Sequence, residues 1–383
     1  MNPDVLRWAR ESAGLSLAKA AGKLQIKPAR GFEPIARLRN LEAGREFPTR
    51  AMLANMADKY QQSLISLYVD EPPELGHHAT DFRTTVNREF AEEEEAWLNL
   101  LLRDLTARQS LLKEAIIDNE EDESVSFVGG MGSRSVLDAV EELRKILGVT
   151  HREYRLESNR DQAFRLLRTR TEEAGVFVLL VGELGHHSRT ISVSVFRGLV
   201  LCDEIAPMVV VNPGDSYGAR SFTLLHELVH LCLGNTGVSN WTPAGRVEQF
   251  CSDVASRFLL PDSDLDELAT KQRQGEEEWI SEITSFAGRM NLSPAMVAYR
   301  LHRRAAISRD VWISLRKNFY RRWQMSRSSG GGGGSYYNTA RYRLGNRFVG
   351  TTGRLMQSGV LTTTKAGFVL GVRPNNAHRL VEP

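Results

Sequence analysis

Arg220-Ser221-Phe222-Thr223-Leu224-Leu225-His226-Glu227-Leu228-Val229-His230-Leu231-Cys232-Leu233-Gly234 is the stretch on which the reading of this chain turns. Residues four apart share one face of a helix. His226 and His230 therefore offer two imidazoles to one metal ion, and Glu227, one step round, can reach a water beside it. The leucines and Val229 make the rest of the helix apolar, so the His/Glu side is its only polar strip, and buried histidines need partners. With nine histidines in the chain, an HExxH window arises by chance only about 0.02 times in a sequence of this composition. The next helical segment, 247–261, carries Glu248, far enough after His230 for a reversing loop and antiparallel docking. Glu248 is the expected third ligand, with the fourth tetrahedral position left to water, as in catalytic rather than structural zinc sites. Cys251, on the same helical face, is a competing ligand and Cys232 a remoter one. Free cysteines are commonly core residues, the reading preferred for both.

Upstream of this helix, β-branched runs at 176–181, 190–196, 199–202 and 208–211, separated by Gly, Asp and Pro, predict a small sheet. Helical periodicity at 135–147 and 161–174 precedes them, and helices resume from Ala219. The expected class is α+β: an all-α N-terminal domain, a domain with a small, mostly antiparallel sheet and the HExxH helix, and a small helical C-terminal module. Composition breaks set the expected borders. Residues 1–72 end at Pro72-Pro73; 73–132 form a helical linker with Trp97, Leu98, Leu101, Leu102 and Leu105 at helix spacing; 133–325 hold the HExxH domain. Residues 326–335, with five consecutive glycines, form a flexible linker to 336–383.

Composition excludes several classes. Hydrophobic residues make up 42% of the chain, which excludes overall disorder, and 49 Lys+Arg against 47 Asp+Glu leave a net charge of +2, too little to predict a partner. Three cysteines without a CxxC suggest a reducing compartment, so the cytoplasm is the expected location. No stretch approaches the ~20 apolar residues that span a bilayer, and no membrane partner is expected.

Several motifs together resemble the ImmA/IrrE metallopeptidase family: Arg220-x-Phe222-Thr223-Leu224-x-His226-Glu227-x-x-His230, Phe196-Arg197-Gly198, Pro207-x-Val209-x-Val211-Asn212, Glu248-x-x-Cys251-Ser252-x-x-Ala255 and Leu259-Leu260-Pro261. The resemblance covers 133–325. Asp81-Phe82-Arg83-Thr84 is similar to the linker signature of its helix-turn-helix-fused long forms. It implies a gluzincin-like Zn²⁺ peptidase with His226, His230 and Glu248 as ligands and Glu227 as catalytic base. Four residues after the ligand glutamate the family usually has Asn or Asp, where this chain has Ser252. The resemblance also implies that Met208–Val211 is an open sheet edge beside the metal, with Val209, Val210, Val211 and Asn212 binding an extended substrate strand. Arg220, Tyr299 and His302 are candidate oxyanion donors, whereas His77/His78 and His186/His187 read as surface loop residues. The C-terminal piece resembles the tail of long family members.

At the N-terminus, Asn2 caps a predicted helix over 3–12 and Ser16 one over 17–24. A third, over 34–41, carries Arg37, Arg39 and Asn40 outward. Leu38-x-x-Leu41-Glu42-x-Gly44 with Pro48-Thr49 resembles an XRE/Cro-type helix-turn-helix, which implies duplex DNA as partner, with Arg37, Arg39 and Asn40 in contact. The pattern departs at Lys27–Phe32, which lengthens the turn, and at Leu41, where an aromatic is usual. Segment 300–327, basic with interleaved aromatics, either tracks phosphates or is an amphipathic helix whose aromatics are core. The expected function is a zinc endopeptidase that cleaves a helix-turn-helix repressor, or itself, to relieve repression. The alternative is a non-proteolytic DNA-binding regulator or antitoxin-like protein whose zinc domain docks or senses a toxin-type or mobile-element partner.

Overall fold

The computed structural model describes residues 2–382 apart from 14, 30, 61–66, 69–91, 133, 185–189, 240–244, 270–274 and 327–334. His77/His78, Asp81–Thr84, His186/His187 and the run of glycines thus lie outside the described residues. The chain divides into two compact units, Met1–Leu105 with Glu183–Val195, and Thr106–Gly182 with Phe196–Pro383.

The first unit holds helices α1 (Pro3–Ser12), α2 (Leu17–Lys23), α3 (Pro34–Glu42) and α4 (Arg50–Tyr60). Short polar side chains start them: Asn2 Oδ1 accepts from Asp4 N, Ser16 Oγ from Lys19 N and Thr49 Oγ1 from Met52 N. Leu6, Ala9, Ala20, Leu38, Leu41, Met56 and Tyr60 form the core. Within it, the Arg10 guanidinium donates to both carboxylate oxygens of Glu42, at 2.7 and 2.9 Å, and to Leu15 O at 2.8 Å. A buried charge pair is tolerable only when so fully hydrogen-bonded, and it fixes one way of docking α1 against α3. Residues 190–196, expected as a strand, are not one: Thr190 makes an isolated bridge to Glu183, and a turn follows. Ile191, Val193 and Val195 are buried, so the alternation in the sequence reflects burial in a loop rather than a ladder.

In chain order the remaining elements are α5 (Glu92–Asp118), α6 (Val136–Leu147), α7 (His151–Leu156), α8 (Arg160–Glu173), β1 (Phe177–Leu180), β2 (Gly198–Leu201), β3 (Met208–Val211), α9 (Tyr217–Cys232), β4 (Gly237–Ser239), α10 (Arg246–Leu259), α11 (Asp262–Ala269), α12 (Glu276–Arg289), α13 (Pro294–Arg303) and α14 (Arg309–Ser326). They are followed by α15 (Tyr336–Leu344), α16 (Asn346–Gln357), α17 (Thr363–Leu370) and α18 (Pro374–Val381). The α+β class is thus present: the described residues are mostly helical, with a small sheet in the second unit.

The sheet is mixed, in the order β1-β3-β2-β4. β3 pairs parallel with β1, Phe177 opposite Met208, and antiparallel with β2, Leu199 opposite Val210; β2 pairs antiparallel with β4. The strand expected to be the open edge is therefore interior. Val209, Val210 and Val211 are fully buried between two partners and have no ladder positions free for a substrate. Asn212 is also taken: its Nδ2 donates to Phe196 O at 3.1 Å and its backbone N to Arg197 O at 2.8 Å. A continuous run of β-branched residues is the mark of a strand covered on both faces, and here it is paired on both edges as well. β1 and β4 are the edges.

The expected borders shift for a physical reason: polar groups on the supposed linkers satisfy the sheet and helix ends. Gln109 Nε2 on α5 donates to Leu201 O at 3.0 Å and Ala206 O at 2.8 Å, and Lys113 pairs with Asp203 at 2.6 Å. In the Gly-rich break, Gly129 N and Met131 N donate to Leu231 O and Cys232 O, closing orphan carbonyls of α9. The unit border falls after Leu105, inside the stretch 73–132 expected as a linker. The C-terminal helices likewise belong to the second unit. Arg168 on α8 donates to Arg343 O at 3.1 Å and Val178 O at 2.6 Å, while Glu172 accepts from Asn346 N at 3.2 Å and so caps α16. Phe348 packs edge-on against Phe177, centroids 5.6 Å apart. These helices cover the β1 edge, which would otherwise present unpaired backbone groups.

Candidate metal centre

α9 is buried along almost its whole length and packs on β2 and β3. Its start is fixed by residues quoted above for their pattern. Arg197 is salt-bridged to Asp215, Arg220 Nε donates to Asp215 O at 2.9 Å, and the Arg220 guanidinium lies over the Tyr217 ring, 4.3 Å from its centroid. Asn212 Oδ1 accepts from Gly214 N at 2.8 Å. These bonds tie the loop between β3 and α9 to the residues before β2, and so set the register of the His/Glu strip over the sheet.

α10 returns antiparallel to α9 and carries the third group. His226 Nε2 lies 3.2 Å from Glu248 Oε2, His230 Nε2 lies 3.2 Å from Glu248 Oε1, and the two Nε2 atoms are 3.1 Å apart. Three donors about 2.0–2.1 Å from a tetrahedral metal are separated by about 3.3 Å. Each of these pairs is close to that spacing, the two imidazoles facing different oxygens of Glu248, and donor atoms of the three residues all lie within 4.8 Å of one another, close enough to share one ion. Among the described residues, His226, His230 and Glu248 are the group that could hold an ion. Charge states agree with this. Burial lowers the affinity of His226 for a proton, against the pull of Glu248. Burial pushes the Glu248 carboxyl up, but hydrogen bonds with His226 and His230 more than offset it and hold the pKa at about 2. Neutral imidazole and ionised carboxylate are the states that bind metal.

The surroundings resolve several open points. Cys251 is fully buried, and burial raises its thiol pKa well above the ordinary value; burial also raises Cys232, to about 12. Both are free cysteines packed as small groups of the core. Ser252 Oγ sits 3.3 Å from His226 Nδ1, so serine occupies the place where the resemblance leads one to expect Asn or Asp. Its neighbour Asp253 accepts from Tyr299 Oη at 2.8 Å and from Arg303 Nε and Nη2 at 2.8 and 2.7 Å, anchoring α10 to α13. Tyr299 is accordingly engaged with Asp253, His302 stacks on Trp312 at 5.0 Å, and Arg220 holds the loop before α9. These three candidate oxyanion donors all have structural work. Glu227 is fully buried, its side chain against β2 at Gly198.

The other expected site residues are placed differently. Arg39 on α3 is exposed, but Arg37 and Asn40 are half-buried rather than outward. Arg37 Nη1 donates to Lys27 O at 2.7 Å, which ties it to the lengthened turn, and Nη2 lies 3.8 Å from Glu46. On α14, Trp312, Leu315 and Phe319 are core, while Ser314 donates to Glu276 at 2.9 Å and Arg322 pairs with Glu277. That helix is an amphipathic one whose aromatics are packed. The sequence reading missed β4 and the Asp253–Arg303 anchor. An acid on the helix that carries Glu248 and a basic residue 50 positions later carry no spacing signal.

Residues 181–302 match the family model of Peptidase M78, the IrrE N-terminal-like domain. The matched span contains His226, Glu227, His230 and Glu248 together with β2, β3, α9, β4 and α10. No curated protein and no solved structure matches the chain. The candidate site thus lies wholly within the part of the chain that is similar to a peptidase family. Among the described residues, no helix is long and apolar enough to cross a membrane.

Proposed function

We propose that the chain is a cytoplasmic zinc-dependent endopeptidase whose N-terminal helices bind duplex DNA as an XRE/Cro-type helix-turn-helix, and that it cleaves a helix-turn-helix repressor, or itself, to relieve repression. The observation that carries this is the His226–His230–Glu248 triangle with a buried glutamate, Glu227, next to it on the same helix. These residues would hold Zn²⁺, which supplies Lewis acidity toward water and a peptide carbonyl. Ser252 holds the His226 ring in orientation through Nδ1, and Asp253 with Arg303 keeps Glu248's helix in place. Glu227 accepts the proton of the attacking water and delivers it to the leaving amine. A site used only for docking would have no task for a buried carboxylate at 227, which is why the enzyme reading is preferred to a sensing or antitoxin-like one.

The test combines zinc analysis of the purified full chain with its incubation with purified helix-turn-helix regulators encoded beside its gene. We expect about one zinc per chain and one regulator, or the chain itself, cut at a defined bond. Glu227→Gln keeps metal and fold and slows cleavage by a factor on the order of 10² or more. Zinc-loaded protein that cuts neither partner nor itself, or a Glu227→Gln variant as fast as the parent, overturns the reading.

A further inference from the structure

Gly198 begins β2 and is held from both sides, opposite Val211 of β3 and Ser239 of β4. The strand cannot step aside at this point. Its backbone is not in the left-handed region, so the need for glycine here is one of space and not of conformation. A Cβ on Gly198 would lie 2.5 Å from Oε1 and 2.7 Å from Cγ of Glu227, and 2.6 Å from Cγ2 of Thr223, one turn earlier on α9. Contacts under 3.0 Å are essentially never made by a real Cβ. One ridge of α9, Thr223 and Glu227, therefore rests on the bare Cα of Gly198. His226 and His230 form a different ridge, about 100° and about 60° round the helix from Glu227.

We infer that Gly198 is the positioning residue for Glu227: its missing side chain makes the recess in which the carboxylate lies, and any side chain there displaces Glu227 while leaving His226, His230 and Glu248 together. The inference rests on the reading of Glu227 as the proton acceptor, and it adds a structural requirement from β2 to it. A purely structural glycine would be indifferent to the side chain at 227; a seat for Glu227 is not.

The test therefore measures coupling and does not depend on a substrate. All chains carry Thr223→Ser, which removes the Cγ2 contact. In that background Gly198→Ala is made with Glu227 intact and with Glu227→Ala, and thermal midpoint and zinc content are measured. With Glu227 present, we expect Gly198→Ala to lower the midpoint by about 4–8 °C at unchanged zinc content. With Glu227→Ala, the same change should shift it by about 1–2 °C. Equal shifts in the two backgrounds, or loss of zinc on Gly198→Ala, overturn the inference. Where a regulator is cleaved, Gly198→Ala should lower kcat by about 100-fold and leave KM within about two-fold. Parental kcat in a folded Gly198→Ala chain also overturns it. Coupling found in a chain that cleaves nothing supports the seat and counts against the peptidase reading alone.

Discussion

α9 and α3 are both helices whose polar residues stand out in the sequence, and the fold treats them in opposite ways. On α9, His226 and His230 meet Glu248 from another helix at 3.2 Å each, so every group singled out finds its partner inside the chain. On α3, Arg39 faces solvent while Arg37 turns back to Lys27 O. A metal site is written in short-range spacing, two imidazoles one helical turn apart plus one donor, and the geometry follows once the helix forms. A nucleic-acid face needs its groups free for a partner outside the chain, and which groups stay free depends on the neighbouring loops. The lengthened turn at 27–32 takes Arg37 for itself, through Lys27 O.

The largest effect should come from breaking the first side of that contrast. His226→Ala/His230→Ala removes two of three ligands, and zinc measured on the dialysed protein should fall from about one per chain to about zero. Retention of full stoichiometry would mean that Cys251 or another group binds in their place, and that the 3.1–3.2 Å triangle is only a buried polar cluster.

A smaller effect sharpens the same side. Ser252→Ala leaves all three ligands and removes only the Oγ that lies 3.3 Å from His226 Nδ1. Loss of such support typically weakens metal binding by about 10-fold or more. A chelator-competition titration should show roughly ten-fold weaker zinc binding, with Ser252→Asn nearer to the parent. An unchanged affinity would show that packing against α10 alone orients the ring.

What was legible beforehand follows the same division. The HExxH strip, Glu248 and the α+β order could be read because helix period, apolar runs and loop length are local. The position of β3 could not: four consecutive apolar residues say that a strand is buried, but not which strands flank it. Its interior place depends on β1 pairing parallel with one side of it and β2 antiparallel with the other, a choice that no short run of apolar residues carries. The docking of the C-terminal helices was equally hidden. It depends on Arg168 and Glu172 of α8 meeting the backbone of residues 342–347 across a long stretch of chain, and Glu172's carboxyl is pushed up by burial there despite Arg168. Neither residue stands out in a helix that already has several charges.

The smallest effect tests the second side, and it separates two arginines that the sequence alone treats alike. Arg39 is exposed on α3, so if these helices bind duplex DNA its loss removes a contact and nothing else. Arg39→Ala should weaken binding to the gene's own upstream DNA by about five-fold, and if the lost contact is to phosphate it should lower the slope of log affinity against log salt by about 0.9. Arg37 donates to Lys27 O at 2.7 Å and is half-buried. Arg37→Ala should instead lower the thermal midpoint by loosening the turn, with the salt slope of the folded protein unchanged. Gel-shift titrations at three salt concentrations, beside thermal melts of the same variants, distinguish the two. A slope reduced by Arg37→Ala and untouched by Arg39→Ala would mean that the turn opens on DNA and frees Arg37, so that α3 adjusts to its partner where α9 does not. Binding unchanged by both substitutions, or none at low salt, would place the N-terminal helices against a protein instead.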